Sequence, residues 1–111
     1  MADIVKVRKA PVKVDIGDGQ ERHLRYTLNA FALLEEKYGT IDKAMEALES
    51  GSIIAIRYIL WAGLIHEDEK LTEHYVGNQI DLSDLEGLAD KMNKAMMGDL
   101  PVPEDGDSNP N

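Results

Sequence analysis

One segment in the middle of the chain, residues 53–65, constrains the fold more than any other. It contains a single charged residue, Arg57, and its apolar side chains occupy every side of a helix instead of one stripe. At a rise of about 1.5 Å per residue the segment is about 20 Å long, which is short of the roughly 30 Å hydrocarbon core of a bilayer. The sequence therefore predicts a buried central helix in a small soluble domain.

The size and composition of the chain fit one domain. The chain has 111 residues, of which 43% are hydrophobic, enough for one modest core. It has no Cys, so neither a disulfide nor a thiolate zinc site is expected, and its N-terminal residues lack a signal-peptide pattern. These features predict a cytoplasmic protein.

Acidic residues are concentrated in the C-terminal part of the chain. The net charge is −9, and residues 66–111 carry twelve Asp and Glu against three Lys. Nucleic-acid phosphates would repel such a surface, so no nucleic-acid partner is expected. A solvated face is the simplest interpretation of a charge run of this kind.

Three short segments before residue 29 have the pattern of β-strands. Residues 4–8 and 12–16 alternate apolar and polar side chains, and residues 22–28 return as a β-rich run. Gly17 and Gly19 lie between the last two segments and tolerate the backbone of a tight turn. The sequence predicts an antiparallel hairpin or a small three-stranded sheet.

The remainder of the chain predicts about five short helices packed around the central one. The predicted helix boundaries are marked by glycines and by N-cap residues, which are Thr27 or Asn29, Thr40, Ser52, Thr72 and Ser83. In the last helix the apolar residues recur at spacings of three and four, which places on one stripe Leu85, Leu88, Ala89, Met92 and Met96. The predicted fold class is α+β and mostly helical.

The composition changes after Gly98. Residues 99–111 contain three Pro and four acidic residues, with little apolar surface to offset the entropy of ordering. We therefore predict one domain, residues 1–98, followed by a disordered acidic tail, residues 99–111.

No group of residues predicts catalysis, a metal site or a cofactor. His66 and His74 are eight residues apart across an acidic turn, a spacing that fixes no shared ligand geometry. Residues 15–21 lack the bidentate Glu of a calcium loop. Gly17 and Gly19 precede a strand and not the helix N-terminus that phosphate binding requires, and no nucleophile has a plausible base. We expect a protein without enzymatic activity.

The central helix has more apolar surface than one core contact requires. Its first stripe comprises Ile53, Ile56, Leu60 and Leu64, and its second comprises Ile54, Tyr58, Trp61 and Ile65. One stripe must pack on the core, while the second either covers the N-terminal sheet or anchors a partner. The candidate partner-binding residues are Tyr58, Trp61 and Ile65. We expect Met92, Met96 and Met97 to fill the core, although flexible Met-rich faces also suit a peptide binder.

Several of these segments together resemble a known family. Residues 28–39 (LNAFALLEEKYG), 60–68 (LWAGLIHED), 71–72 and 76–77 are similar to the tail assembly chaperones of long-tailed bacteriophages and prophages, and to the related gene-transfer-agent tail protein family. The resemblance covers about residues 22–97, and the N-terminal strands fit it loosely.

The resemblance implies a small helical protein of virion morphogenesis in the host bacterial cytoplasm. Such a chaperone binds the tape measure protein, keeps it soluble and helps the tail tube protein polymerise around it. Many members are also made as a longer frameshifted product. The family has no catalytic residues, and no membrane partner is implied.

The alternatives to a chaperone are a structural tail component, such as a tube or terminator subunit retained in the virion, and a small regulator or accessory domain. Self-association is a further expectation.

Overall fold

The computed structural model describes residues 12–99, in which a two-stranded antiparallel hairpin precedes five α-helices. The strands are β1 (Val12–Val14) and β2 (Arg22–Leu24). The helices are α1 (Leu28–Tyr38), α2 (Ile41–Glu49), α3 (Ile53–Leu64), α4 (Glu73–Asn78) and α5 (Leu85–Asp99), and a 3₁₀ turn (Leu82–Asp84) directly precedes α5. The predicted α+β, mostly helical class is confirmed. The predicted strand at residues 4–8 and nearly all of the predicted tail lie outside the described residues.

The hairpin has the predicted antiparallel pairing but shorter strands. Val12 pairs with Leu24, and Val14 pairs with Arg22. The expectation that the second strand continues to residue 28 is wrong, because the backbone after Leu24 turns to other partners. The amide of Arg25 donates to the carbonyl oxygen of Gly63 at 2.9 Å, and two residues later Thr27 begins α1.

Four of the predicted N-caps are confirmed. The side-chain oxygens of Thr27, Thr40, Ser52 and Thr72 each accept a hydrogen bond from the amide three residues further on, at 3.0 to 3.2 Å. Ser83 is not an N-cap, since it lies inside the 3₁₀ turn that runs into α5. Gly39 ends α1 with φ 93°, a left-handed conformation that glycine adopts without steric cost.

Helix α3 is the centre of the fold. It packs against α1, α2, α4, α5 and β2, and most of its side chains are buried. Its first two residues, Ile53 and Ile54, are exposed because the surrounding helices do not cover them. The first stripe therefore contributes Ile56, Leu60 and Leu64 to the core, and the prediction for Ile53 is wrong.

The hairpin meets α3 through a close approach at Gly63. A Cβ atom at this position would lie 2.7 Å from Cζ of Tyr26 and 2.9 Å from Cδ2 of Leu24, far inside van der Waals contact. The hydroxyl of Tyr26 donates to the carbonyl oxygen of Ile59 at 2.8 Å. Only glycine lets the end of the hairpin lie this close to the helix.

An ion pair joins the turn of the hairpin to β2, and a hydrogen bond from α4 reaches the same carboxylate. Nη2 of Arg22 lies 2.7 Å from Oδ2 of Asp18, and the two side chains are only 10% and 3% exposed. The hydroxyl of Tyr75 donates to the same carboxylate oxygen at 3.0 Å. The hydrogen bond from Arg22, assisted by that from Tyr75, holds the pKa of the Asp18 carboxyl below its ordinary value despite burial.

Helix α5 has the predicted apolar stripe. Leu88, Met92 and Met96 are buried, and Leu85 and Ala89 are partly buried against the core. Met97 is exposed, so the expectation that it fills the core is wrong. It follows Met96 directly and therefore points about 100° away around the helix.

Candidate protein-binding site

The three residues predicted to bind a partner are partly buried, with Tyr58 and Trp61 on α3 and Ile65 at its C-cap. The hydroxyl of Tyr58 donates to the carbonyl oxygen of Leu33 at 3.3 Å, and Nε1 of Trp61 donates to that of Leu71 at 2.9 Å. Their side chains thus contact α1 and the segment before α4. Within residues 12–99 the hairpin packs at Gly63, so the alternative in which this stripe covers the N-terminal sheet does not hold for Tyr58 and Trp61.

The aromatic rings of Tyr58, Trp61 and Tyr38 pack against one another. The Tyr58 ring centroid lies 5.4 Å from that of Trp61 and 6.2 Å from that of Tyr38. Nζ of Lys37 lies 4.8 Å from the Tyr58 centroid, within cation–π range. Burial raises the pKa of the Tyr38 and Tyr58 hydroxyls. Because Tyr58 and Trp61 already have partners in the fold, their role in binding another protein stays a prediction.

A groove of about 300 Å³ lies on another side of α3. It is enclosed by the N-terminal half of α3, by α4, by the 3₁₀ turn and by the start of α5. Its apolar lining comprises Ile53, Ile56, Leu60, Val76, Ile80, Leu82, Leu85 and Leu88. The innermost of these side chains belong to the core, whereas Ile53 and Leu82 at the rim are 56% and 71% exposed. The groove is thus an opening of the hydrophobic core to the surface.

Of the charged side chains that line the groove, Arg57 has an ion-pair partner among the described residues and Asp81 has none. Nε of Arg57 lies 3.2 Å from Oε2 of Glu73, so this cation is already paired. Gly77 makes room for the stem of Arg57, since a Cβ there would lie 3.0 Å from Arg57 Cδ. Asp81 also lines the groove, and its carboxylate forms no ion pair within residues 12–99. The uncompensated charge at this opening is negative.

Sequence reasoning did not find the groove. It assigned Ile53 to the core stripe, and it gave Leu82 no role because this residue lies in a short polar connection between two helices. A local signal does exist, since Leu82 lies three positions before Leu85 and thus extends the apolar stripe of α5 toward its N-terminus. The remaining walls come from four separate elements, and only the tertiary packing brings them together.

The two histidines considered as metal ligands lie in different surroundings. Nε2 of His66 lies 2.7 Å from the carbonyl oxygen of His23. The amide of His23 donates a hydrogen bond to the carboxylate of Glu67 at 3.1 Å. His74 lines the groove instead. Across residues 12–99 no group of three or more His, Cys, Asp and Glu is arranged to hold a metal ion.

The chain matches no protein-family model, no curated protein and no solved structure. Among residues 12–99 no helix combines the length and the apolar character that crossing a bilayer requires. Function is therefore inferred from the chemistry of the groove together with the sequence resemblance.

Proposed function

We propose that this protein is a phage tail assembly chaperone without enzymatic activity. It binds the tape measure protein in the host bacterial cytoplasm and assists polymerisation of the tail tube protein around it. The resemblance of residues 22–97 to that family gives the proposal its partners. Its support among the structural observations is the groove, because a chaperone needs accessible apolar surface that its own fold does not use.

The pairing of an open apolar groove with a strongly acidic chain is the observation that carries the proposal. Exposed apolar surface at Ile53 and Leu82 offers a place to bury the apolar side chains of a client. The net charge of −9 keeps the chaperone and its complexes apart from one another, since like-charged particles resist association. The groove thus holds the client, and the charge maintains solubility.

Co-expression with the tape measure protein of the same phage tests the proposal. We expect the wild-type chain to bring a large fraction of the tape measure protein into the soluble fraction and to co-purify with it. The matched control is co-expression with an unrelated acidic protein of similar size, which should leave the tape measure protein insoluble. If the wild-type chain performs no better than this control, the proposed function is wrong.

Mass spectrometry of purified phage particles separates a chaperone from a structural tail protein. A chaperone acts before the particle is complete, so we expect the chain to be absent or present only in traces. Recovery at the copy number of a tube or terminator subunit would instead identify a component retained in the virion.

A further inference from the structure

The shape and charge of the groove select one kind of occupant. We propose that the groove binds an amphipathic α-helix of about two to three turns that carries Lys or Arg beside its apolar face. The inference rests on the proposed function to the extent that this helix belongs to the client. It specifies the length, the apolar face and the charge of the client segment that the groove binds.

A helix fits the groove better than an extended segment does. Apolar side chains predominate in the lining, which also includes Arg57, His74, Asn78 and Asp81, and no strand edge lies among them to pair with a peptide backbone. An extended segment would find few partners for its N–H and C=O groups there, whereas a helix satisfies its own. On α3 the lining runs from Ile53 to Leu60, which corresponds to about 10 Å or two helical turns.

The volume of the groove indicates that it receives side chains. About 300 Å³ is at the lower limit of cavities that hold a complete small ligand. The rim residues Ile53 and Leu82 are large, apolar and exposed, so they extend the contact along the helix beyond the cavity itself. One apolar face with anchors three, four and seven positions apart would fill the groove and cover the rim.

Charge distinguishes the possible occupants. Asp81 in the lining has no ion-pair partner within residues 12–99, while Arg57 is paired with Glu73. A Lys or Arg beside the apolar face of the occupant would compensate the Asp81 carboxylate. A second copy of this chain also carries a net charge of −9 and would be repelled. The groove therefore favours a basic helix over self-docking.

A direct binding experiment with the full chain tests this inference without the tape measure protein. The probe is a fluorescent 18-residue helical peptide with Leu at positions i, i+3, i+4 and i+7 and with Lys flanking that face. The first control peptide has Glu in place of each Lys, and the second is a scramble of the basic sequence. We expect fluorescence anisotropy to give a Kd for the basic peptide at least about tenfold lower than for either control.

Matched variants test whether the basic peptide binds in the groove. Leu82→Ser should raise the Kd about tenfold, the effect of losing one good apolar anchor, with an unchanged melting temperature because Leu82 is exposed. Leu28→Ser is the control, since Leu28 is an even more exposed leucine, at 85%, on α1 away from the groove. Asp81→Asn should weaken the basic peptide and reduce the salt dependence of its Kd, whereas Asp42→Asn on α2 should do neither.

Three results would overturn the inference. These are equal affinity for the Lys and Glu peptides, equal effects of Leu82→Ser and Leu28→Ser, and a dimer in sedimentation that Leu82→Ser dissociates. The proposed function fails separately. A wild-type chain that binds the basic peptide but leaves the tape measure protein insoluble contradicts the chaperone role alone. A Leu82→Ser chain that still solubilises the tape measure protein fully contradicts the groove as the client site alone.

Discussion

Adding one methyl group should change the free energy of unfolding in opposite directions at two helical glycines, Gly63 and Gly87. A Cβ at Gly63 would overlap Tyr26 and Leu24, whereas a Cβ at Gly87, near the start of α5, would meet no atom within 4 Å beyond its chain neighbours and the adjacent helical backbone. We expect Gly63→Ala to lower the free energy of unfolding by about 2 kcal/mol or more through overpacking. We expect Gly87→Ala to raise it by about 0.5 kcal/mol, because Ala restricts the unfolded chain and favours the helix.

Urea denaturation of the two variants and the wild type measures these changes. The pair is its own control, since both variants add the same group to a helix. A Gly63→Ala chain as stable as the Gly87→Ala chain would show that the hairpin does not lie against α3 as described.

The Asp18 carboxylate makes stability depend on pH in a defined direction. Arg22 and Tyr75 hold its pKa in the folded protein below the ordinary value. Its contribution is therefore complete above about pH 5, begins to fall near the unfolded pKa of about 4, and is lost as the pH falls through the lowered pKa of the folded state. Asp18→Asn removes one member of a buried ion pair and should cost about 3 kcal/mol at neutral pH.

Denaturant titrations of the wild type and of Asp18→Asn at several pH values test this assignment. The difference between them should be constant at neutral pH and should shrink under acidic conditions. Asp90→Asn, an exposed substitution on α5, serves as the control. A difference that grows as the pH falls would contradict the lowered pKa.

At the scale of the elements, Tyr58 in the second stripe of α3 is fixed by its contacts with α1. The Tyr58 ring packs beside Tyr38 and Trp61, and its hydroxyl bonds to the Leu33 carbonyl. Tyr58→Ser should therefore lower the free energy of unfolding by about 2 kcal/mol or more, as truncation of a packed side chain does. Thermal and urea unfolding measure this loss. An unchanged stability together with lost tape measure co-purification would instead identify Tyr58 as a client contact.

The sequence predicts those features of the elements that depend on residues close together in the chain. Each helix start at Thr27, Thr40, Ser52 and Thr72 depends on one side chain and an amide three residues away, so the sequence contains it. The same reasoning failed at Ser83, because the spacing of a capping box does not distinguish an N-cap from a 3₁₀ turn. The exposure of Ile53 was not predictable from periodicity.

The contacts between distant elements explain the other differences. The sequence predicts that Gly63 lies in a buried helix. It does not predict that Tyr26 packs against this position, where a side chain would not fit. The groove likewise combines α3, α4, the 3₁₀ turn and α5. Its existence follows from how these elements pack, and periodicity within one helix does not report that packing.

At the scale of the whole molecule, charge repulsion opposes association through the groove. The sequence isoelectric point is about 4.7, so lowering the pH from 7 toward this value removes the net charge of −9. We expect the wild-type chain to self-associate through its exposed apolar surface as the pH approaches 4.7. Sedimentation velocity against pH measures this, and Leu82→Ser should associate less than Leu28→Ser. Equal association of the two variants would place the contact elsewhere.

The hydrogen bond between the Arg25 amide and the Gly63 carbonyl has a consequence for the opening motions of the protein. The last carbonyls of a helix have no partner within it, and at the end of α3 one partner comes from a residue 38 positions earlier in the chain. Breaking this bond requires the hairpin to leave the central helix, which exposes Leu24 and Tyr26 to water. Although Arg25 lies outside every strand and helix, its amide should exchange for deuterium as slowly as the amides in the middle of α3.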